Sequence, residues 1–129
     1  MKRFILALLA GLVVWVFVIS LLNRGLRLAV EGYAAAEPRM SFTLGMMTVR
    51  LVIAALTSVI AGAVAGSIAP TSTRAPWVLG AILLVAFIPQ HVRLWHLFPV
   101  WYHLTFLVTL VPLIVLGSRL RRAPTPPPV

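Results

Sequence analysis

The chain has 129 residues, 61% of them hydrophobic, and a mean hydropathy of +1.05. Soluble domains are about 45–50% apolar, so a chain of this composition requires lipid as its solvent. The formal charge of +9 does not indicate nucleic-acid binding, because the basic residues stand singly or in short groups between apolar runs, a pattern typical of proteins that meet lipid headgroups. The absence of cysteine excludes disulfides, thiolate metal sites and a cysteine nucleophile.

The first predicted element is a membrane span at residues 4–22, a run of 19 residues without a charge that directly follows Lys2 and Arg3. A helix of this length measures about 28 Å, close to the ~30 Å hydrocarbon core of a bilayer. A cleaved signal peptide has a shorter apolar core and a small-residue cleavage site soon after it. Here the first such site, residues 34–36, comes only after two arginines and a glutamate. We therefore predict a retained first span.

The first predicted loop, residues 23–40, carries both acids of the chain, Glu31 and Glu37. Arg27 lies four residues before Glu31, so a helical stretch would pair the two. Glu37 directly precedes Pro38, a step that ends a helix. The loop is thus expected to be partly helical, with an internal ion pair.

The second predicted span covers residues 44–69, and Ser41 is its expected N-cap. Its one charge, Arg50, lies near the start of the span, where a long side chain reaches the headgroups. Small residues recur at every fourth position and would let another helix approach closely, either in this chain or in a second copy. These predicted helix-packing residues are Ala54, Ser58, Gly62 and Gly66.

The third span is predicted at residues 77–96. Its apolar run ends at Ile88 and is too short to cross a bilayer, so the helix has to continue through Pro89 into a polar end. The fourth span is predicted at residues 100–117, after Pro99, a residue that suits the start of a helix.

The four spans together predict an all-α fold, an antiparallel bundle of four transmembrane helices in a single domain over residues 1–122. Residues 123–129 are expected to form a disordered Pro-rich tail. Four spans place both termini on one side, and the basic residues divide six against five between the two sides. The basic cluster after the fourth span and the acids in the first loop favour cytoplasmic termini, and the high ratio of arginine to lysine favours a bacterial inner membrane.

The turn between the third and fourth spans holds all three histidines and two of the four tryptophans. One interpretation is an aromatic belt where hydrocarbon meets water, formed by Trp77, Trp95, Trp101 and Tyr102. The alternative is a polar cluster in which an acid of the first loop pairs with an arginine across the bundle, or a ligand or ion binds. Its candidate residues are Glu31, Glu37, Arg50, Gln90, His91, Arg93, His96 and His103.

A haem or metal site is the most specific chemistry that these residues offer. His91 and His103 are predicted on different helices at a similar depth, as in haem-binding bundles. The histidine spacings match no metal-binding repeat, so we predict neither a metal nor a cofactor. The chain has no Gly-rich phosphate loop and no serine beside a base, and we predict that it is not an enzyme.

Three stretches carry a resemblance: residues 37–51 (EPRMSFTLGMMTVRL), 74–80 (RAPWVLG) and 98–107 (FPVWYHLTFL). In these the chain resembles an uncharacterised family of small four-span bacterial inner-membrane proteins. The resemblance covers most of the chain except the tail, and it implies no activity and no site residues. The architecture also resembles that of small multidrug exporters, but the glutamate that such exporters carry in the first helix has no counterpart in residues 4–22.

The sequence therefore predicts an integral membrane protein with a structural or accessory role, as a helix-packing subunit. Its expected partners are the lipid bilayer and a second copy of the chain or another membrane subunit; no nucleic acid is expected. A small transporter or channel subunit with a polar outer-edge site is the first alternative. A haem- or metal-binding electron-transfer subunit is the second.

Overall fold

The structure of the protein is a computed structural model, and it describes residues 1–121. Within that range all regular structure is helical, and four helices are long and apolar enough to cross a membrane. The elements are α1 (Lys2–Ala29), α2 (Tyr33–Ala36), a 3-10 turn (Glu37–Arg39), α3 (Leu44–Ile68), α4 (Ala75–Arg93) and α5 (Val100–Arg121). The predicted all-α fold with four spans is confirmed. The tail predicted at residues 123–129 lies outside the described residues.

The four long helices pack in the order α1, α3, α5, α4, and α4 returns to contact α1. Successive spans alternate in direction, so α3 and α5 run parallel to each other. The register shows this directly, since Arg50 bonds to Tyr102, 52 positions further along the chain, and Gly62 and Gly66 meet Ile114 and Ser118 at the same offset. The most extensive helix contact therefore joins two spans that are not consecutive.

Helix α1 is longer than the apolar run predicts, since it continues beyond Leu22 to Ala29. Its 28 residues measure about 42 Å, more than the ~30 Å core of a bilayer. The predicted loop thus begins as helix. The chain turns at Gly32, whose φ of +82° lies in the left-handed region that favours glycine.

The N-cap of α3 is Thr43, whose hydroxyl oxygen accepts a hydrogen bond from the Met46 N–H at 3.2 Å. The expectation of Ser41 at this position was wrong. Ser41 lies two residues too early for its hydroxyl to reach the free N–H groups of the first turn. It donates instead to the Ala36 carbonyl at 3.4 Å.

The polar ends of α4 and α5 also differ from the predicted bounds. Helix α4 contains Pro89 and ends at Arg93, so Trp95 and His96 lie in the turn before α5 rather than on a helix. Helix α5 extends past Gly117 to Arg121. Helix α4 thus ends earlier than predicted and α5 ends later, because the length of an apolar run does not locate the end of a helix whose last turn is polar.

The small-residue row of α3 packs against α5. Its four members, Ala54, Ser58, Gly62 and Gly66, are all buried. A Cβ atom on Gly62 would collide with the Ile114 carbonyl oxygen, and one on Gly117 would collide with the Val59 carbonyl oxygen. The backbones of the two helices are therefore in direct contact, as small residues allow in membranes. Of the two partners that the sequence left open for this row, the structure supplies the one within the chain, and self-association stays a prediction.

Buried apolar residues form two clusters, which divide the bundle into two halves. One cluster contains Ala61, Ala65, Leu79 and Ile114 and lies in the half that includes the chain start, the α3–α4 turn and the end of α5. We call this half the basic end. The other cluster contains Tyr33, Phe42, Phe98 and Tyr102 and lies in the half with the α1–α3 connection and the α4–α5 turn, which we call the chamber end.

Candidate functional site

A chamber of about 220 Å³ lies between the four long helices at the chamber end. Its walls combine five aromatic, five polar and five other apolar side chains. The aromatic side chains are Trp15, Phe87, Phe98, Tyr102 and Phe106, and the polar ones are Asn23, Arg50, Gln90, His91 and His103. Five of the predicted cluster and belt residues, Arg50, Gln90, His91, His103 and Tyr102, thus meet around one space.

Arg50 is the cation of the chamber wall, and its guanidinium group is held in place by three aromatic side chains. Its Nη1 donates to the Tyr33 hydroxyl at 2.6 Å, and its Nε donates to the Tyr102 hydroxyl at 3.1 Å. The guanidinium carbon lies 4.7 Å from the centre of the Phe42 ring, within the range of a cation–π contact. These contacts orient the positive charge but do not neutralise it.

No carboxylate neutralises Arg50 in the part of the chain that the structure describes. The one ion pair among residues 1–121 does not involve Arg50 and joins Arg27 Nε to Glu37 Oε1 at 2.6 Å. The predicted pairing of Arg27 with Glu31 is wrong, because α1 ends at Ala29 and Glu31 lies beyond the helix, exposed to solvent. The alternative pairing of either acid with an arginine across the bundle is not formed either.

Arg50 therefore keeps free hydrogen-bond donors. Arginine has five N–H groups, and two of them donate to tyrosine hydroxyls, which leaves three without a partner among residues 1–121. One of the three is on Nη1 and two are on Nη2. Such donors in a half-buried position are costly unless a bound group accepts from them.

The α1–α3 connection is attached to the bundle through tyrosine rather than through a carboxylate. The Tyr33 hydroxyl accepts from Arg50 and donates to Asn23 Oδ1 at 3.4 Å. The Tyr33 ring stacks on Phe42 at 5.1 Å between centres, and Phe42 stacks on Phe98 at 5.9 Å. Sequence reasoning missed both Tyr33 and Phe42. The signal that could have indicated them is that they are the two aromatic residues of the α1–α3 connection, a segment otherwise rich in small and polar residues.

His91 and His103 form a hydrogen-bonded pair, with their Nδ1 atoms 2.7 Å apart. His103 Nε2 lies 3.3 Å from the Trp95 carbonyl oxygen, which only accepts, so this nitrogen carries a hydrogen. With both rings neutral, His103 Nδ1 is then an acceptor and His91 Nδ1 the donor. The remaining nitrogen, His91 Nε2, presents a lone pair and has no partner in the described residues.

This arrangement differs from the haem or metal site considered from the sequence. Nitrogens that bind one metal at ~2.0–2.1 Å each are separated by roughly 3 Å or more, whereas the facing Nδ1 atoms are 2.7 Å apart. Within residues 1–121 no group of three His, Cys, Asp or Glu side chains is placed to hold a metal ion. His91 and His103 are thus hydrogen-bonded to each other.

Several predicted residues lie away from the chamber. Glu31, Arg93 and His96 are exposed and line no part of it. Of the predicted belt, Trp77, Trp95 and Trp101 are exposed, and Trp77 lies at the basic end on the first turn of α4. Tyr102 differs from them, since only 6% of it is exposed and its hydroxyl is bound to Arg50.

The floor of the chamber is closed by a buried hydrogen bond from Trp15 Nε1 to Ser58 Oγ at 3.1 Å. Ser58 in turn donates to the Ala54 carbonyl at 2.8 Å, and Thr57 donates to the Ile53 carbonyl at 2.6 Å. The buried hydroxyls of Thr57 and Ser58 thus donate within their own helix. Closer to the basic end, Arg121 Nε donates to Ser67 Oγ at 2.8 Å, an exposed contact that joins α5 to α3.

No protein-family model matches the chain, and neither a curated protein nor a solved structure is similar to it. The resemblance to a family of four-span inner-membrane proteins stays a prediction for that reason. Any functional assignment therefore depends on the geometry of the chamber, in a chain that has four helices able to cross a membrane.

Proposed function

We propose that the protein is a small-ligand-binding subunit of a membrane, and that the chamber is its binding site. The observation that carries this proposal is Arg50, which lines the chamber and whose guanidinium group has three N–H groups without a partner, and no ion pair with a carboxylate, among residues 1–121. Ionisable groups inside membrane proteins are costly to bury and are characteristic of functional sites.

The composition of the chamber wall supports the same proposal. Ligand sites are typically concave and mostly apolar, with a few polar groups that fix orientation. Here aromatic and other apolar side chains together form most of the wall, and Arg50, Gln90 and His91 are among its polar residues. This arrangement favours a bound organic molecule over a purely structural role in helix packing.

Binding fits this chamber better than catalysis or transport does. The lining residues include no serine, threonine or carboxylate, side chains that commonly act as nucleophiles. The two histidines of the lining, a residue type that often acts as a general base, are hydrogen-bonded to each other. The bond between Trp15 and Ser58 closes the chamber before it reaches the basic end. A binding or accessory subunit that presents its ligand at one membrane face is consistent with both features.

We further propose that the protein lies in a bacterial inner membrane with its termini in the cytoplasm and its chamber on the outer side. The support is the cationic basic end, which includes Lys2, Arg3, Arg74 and Arg121. Reporter fusions at residues 70–76 and 90–99 test the orientation. They are expected to report opposite faces, and a report of the same face would contradict the four-span topology.

Fluorescence of Trp15, which lines the chamber, tests ligand binding. Replacement of Trp77, Trp95 and Trp101 by Phe leaves it as the sole tryptophan of the chain. In lipid nanodiscs, titration with benzoate, benzyl alcohol and benzylamine covers an anionic, a neutral and a cationic aromatic probe. We expect a saturable change in Trp15 emission with at least one of them.

The matched control carries Ala54→Phe in the same background, which narrows the chamber from the α3 side. It is expected to remain helical by circular dichroism and to lose the saturable signal, leaving only the linear background of probes that partition into lipid. The proposed function is wrong if none of the three probes gives a saturable signal in the sole-tryptophan protein.

A further inference from the structure

We propose that the ligand of the chamber is a small aromatic acid that also carries a hydroxyl group, with its carboxylate bound by Arg50 and its hydroxyl donated to His91. This inference rests on the proposed function, since it names the chemistry of the ligand in the same chamber. Three properties of the wall carry it: the free donors of Arg50, the size and aromatic character of the space, and the free acceptor of His91.

The free donors of Arg50 fit a carboxylate. Its Nε and one N–H of Nη1 are bound to tyrosine hydroxyls, so the N–H groups that remain lie on Nη1 and Nη2. Nη2 keeps both of its N–H groups and Nη1 keeps one, and a carboxylate accepts strong, charge-assisted hydrogen bonds from such donors. A carboxylate would also supply the negative charge that no side chain among residues 1–121 provides to Arg50.

The volume and the walls fit an aromatic body of modest size. The chamber measures about 220 Å³, whereas a cavity of about 150 Å³ already holds benzene and ordinary drug-sized sites begin at about 300 Å³. The rings of Trp15, Phe87 and Phe106 pack against one another at 4.8–6.5 Å between centres and offer both faces and edges to a bound ring. A single substituted ring fits this space.

The free nitrogen of His91 fits a hydroxyl donor. With both rings neutral, the contacts from His91 through His103 to the Trp95 carbonyl oxygen place the hydrogen on His91 Nδ1 and leave the Nε2 lone pair without a partner in the described residues. His91 lines the chamber and is only 8% exposed, so water has little access to it. A hydroxyl on the ligand would satisfy this acceptor, and an apolar group there would leave it unsatisfied.

The affinities of related probes test each part of the inference. In the sole-Trp15 protein in phosphatidylcholine nanodiscs, dissociation constants are measured for benzoate, the three hydroxybenzoate isomers and benzyl alcohol. We expect benzoate to bind roughly tenfold or more tightly than benzyl alcohol, because a hydrogen bond to a charged group is stronger than a neutral one. The hydroxybenzoate whose hydroxyl reaches His91 is expected to bind about three- to tenfold more tightly than benzoate.

Two substitutions separate the roles of the two residues. Arg50→Gln is expected to remove the preference for benzoate over benzyl alcohol, while Arg50→Lys keeps much of it because the charge remains. His91→Phe is expected to remove the preference for the hydroxybenzoate over benzoate while the preference for benzoate over benzyl alcohol remains. Arg93→Gln is the matched control, since Arg93 is an exposed cation at the same end that does not line the chamber, and it should change neither preference.

The alternative source of an anionic group is a lipid headgroup. Repeating the benzoate titration in nanodiscs with phosphatidylglycerol distinguishes the two sources. An unchanged affinity supports an aromatic acid. A loss of benzoate binding in phosphatidylglycerol that leaves the binding of benzyl alcohol unchanged would show that a lipid phosphate occupies Arg50 and would overturn the inference.

The outcomes also separate this inference from the proposed function. Equal affinities for benzoate and benzyl alcohol that Arg50→Gln leaves unchanged would overturn the inference and keep the chamber as a ligand site. A preference for benzoate with no gain from any hydroxyl isomer would overturn the assignment of His91. Only the absence of saturable binding by every probe would remove the site itself.

Discussion

The two ends of the α3–α5 pair show how side-chain size decides whether a bundle closes or keeps a chamber. At the basic end Gly62 and Gly117 bring the two backbones into direct contact. At the chamber end the same parallel helices, in the same register, are joined through the side chains of Arg50 and Tyr102. The contact between α3 and α5 is closed at the basic end because its residues there are small, and the chamber end holds a space because its residues are large and polar.

The largest expected effect is the loss of the close contact at the basic end. In Gly62→Leu the new side chain would meet the Ile114 backbone carbonyl, which cannot rotate away as a side chain could. We expect a destabilisation of about 3 kcal/mol or more, at the upper end of overpacking costs, measured by thermal unfolding in detergent with circular dichroism.

Gly25→Leu is the matched control, because a Cβ atom at Gly25 meets nothing within 4 Å. A glycine in a helix gains stability from replacement when space is free, so this variant is expected to match the parent protein or exceed it. Equal melting temperatures for Gly62→Leu and Gly25→Leu would contradict the direct backbone contact between α3 and α5.

The helix packing at the basic end was largely predictable from the sequence. Apolar runs predicted the four spans, and small residues at every fourth position predicted a helix-packing face on α3. The identity of the partner was not predictable, because periodicity within one helix does not say which other helix it faces. Helix α5 packs parallel to α3 because of the order of the helices around the bundle, and this order is a property of the whole fold.

The contacts at the chamber end were less predictable from the sequence. The sequence indicated that Arg50, His91 and His103 lie near one membrane face, but it paired Arg27 with the wrong acid. That error arose because apolar content and spacing do not locate the end of α1 at Ala29, and beyond a helix end the four-residue rule no longer applies. Trp15 was missed for a related reason, since a tryptophan in the middle of an apolar span carries no signal of a buried hydrogen bond.

The next effect in size concerns the attachment of the α1–α3 connection over the chamber. Tyr33→Phe removes the hydroxyl that accepts from Arg50 Nη1 at 2.6 Å and leaves a fourth N–H of Arg50 without a partner. We expect a cost of about 1–2 kcal/mol, as for a hydrogen bond to a charged group that is partly exposed. Thermal unfolding measures the cost, and faster limited proteolysis within residues 30–43 is expected to accompany it.

A double-mutant cycle sharpens this prediction. If the Tyr33 hydroxyl acts through Arg50, then Tyr33→Phe should cost much less in an Arg50→Gln background. An undiminished cost in that background would assign the effect to the Asn23 contact or to ring packing instead.

A smaller effect is expected at the floor between the two ends. Ser58→Ala removes the acceptor of the buried Trp15 N–H, at 3.1 Å, and leaves that donor without a partner. The expected cost is about 1 kcal/mol, near the lower end for a buried unsatisfied group because the side chain removed is small. Thr48→Ala is the control, since its hydroxyl also bonds to a carbonyl of its own helix but is exposed, and it should change stability less than Ser58→Ala does.

The smallest effect is expected for the ion pair between Arg27 and Glu37. Arg27 is exposed, and ion pairs in contact with water contribute little because solvent and salt screen them. Glu37→Gln is therefore expected to leave the melting temperature nearly unchanged at low salt and to match Glu31→Gln at high salt. A decrease in melting temperature for Glu37→Gln as large as that for Tyr33→Phe would mean that the Glu37 carboxylate, and not the tyrosine bound to Arg50, holds the α1–α3 connection over the chamber.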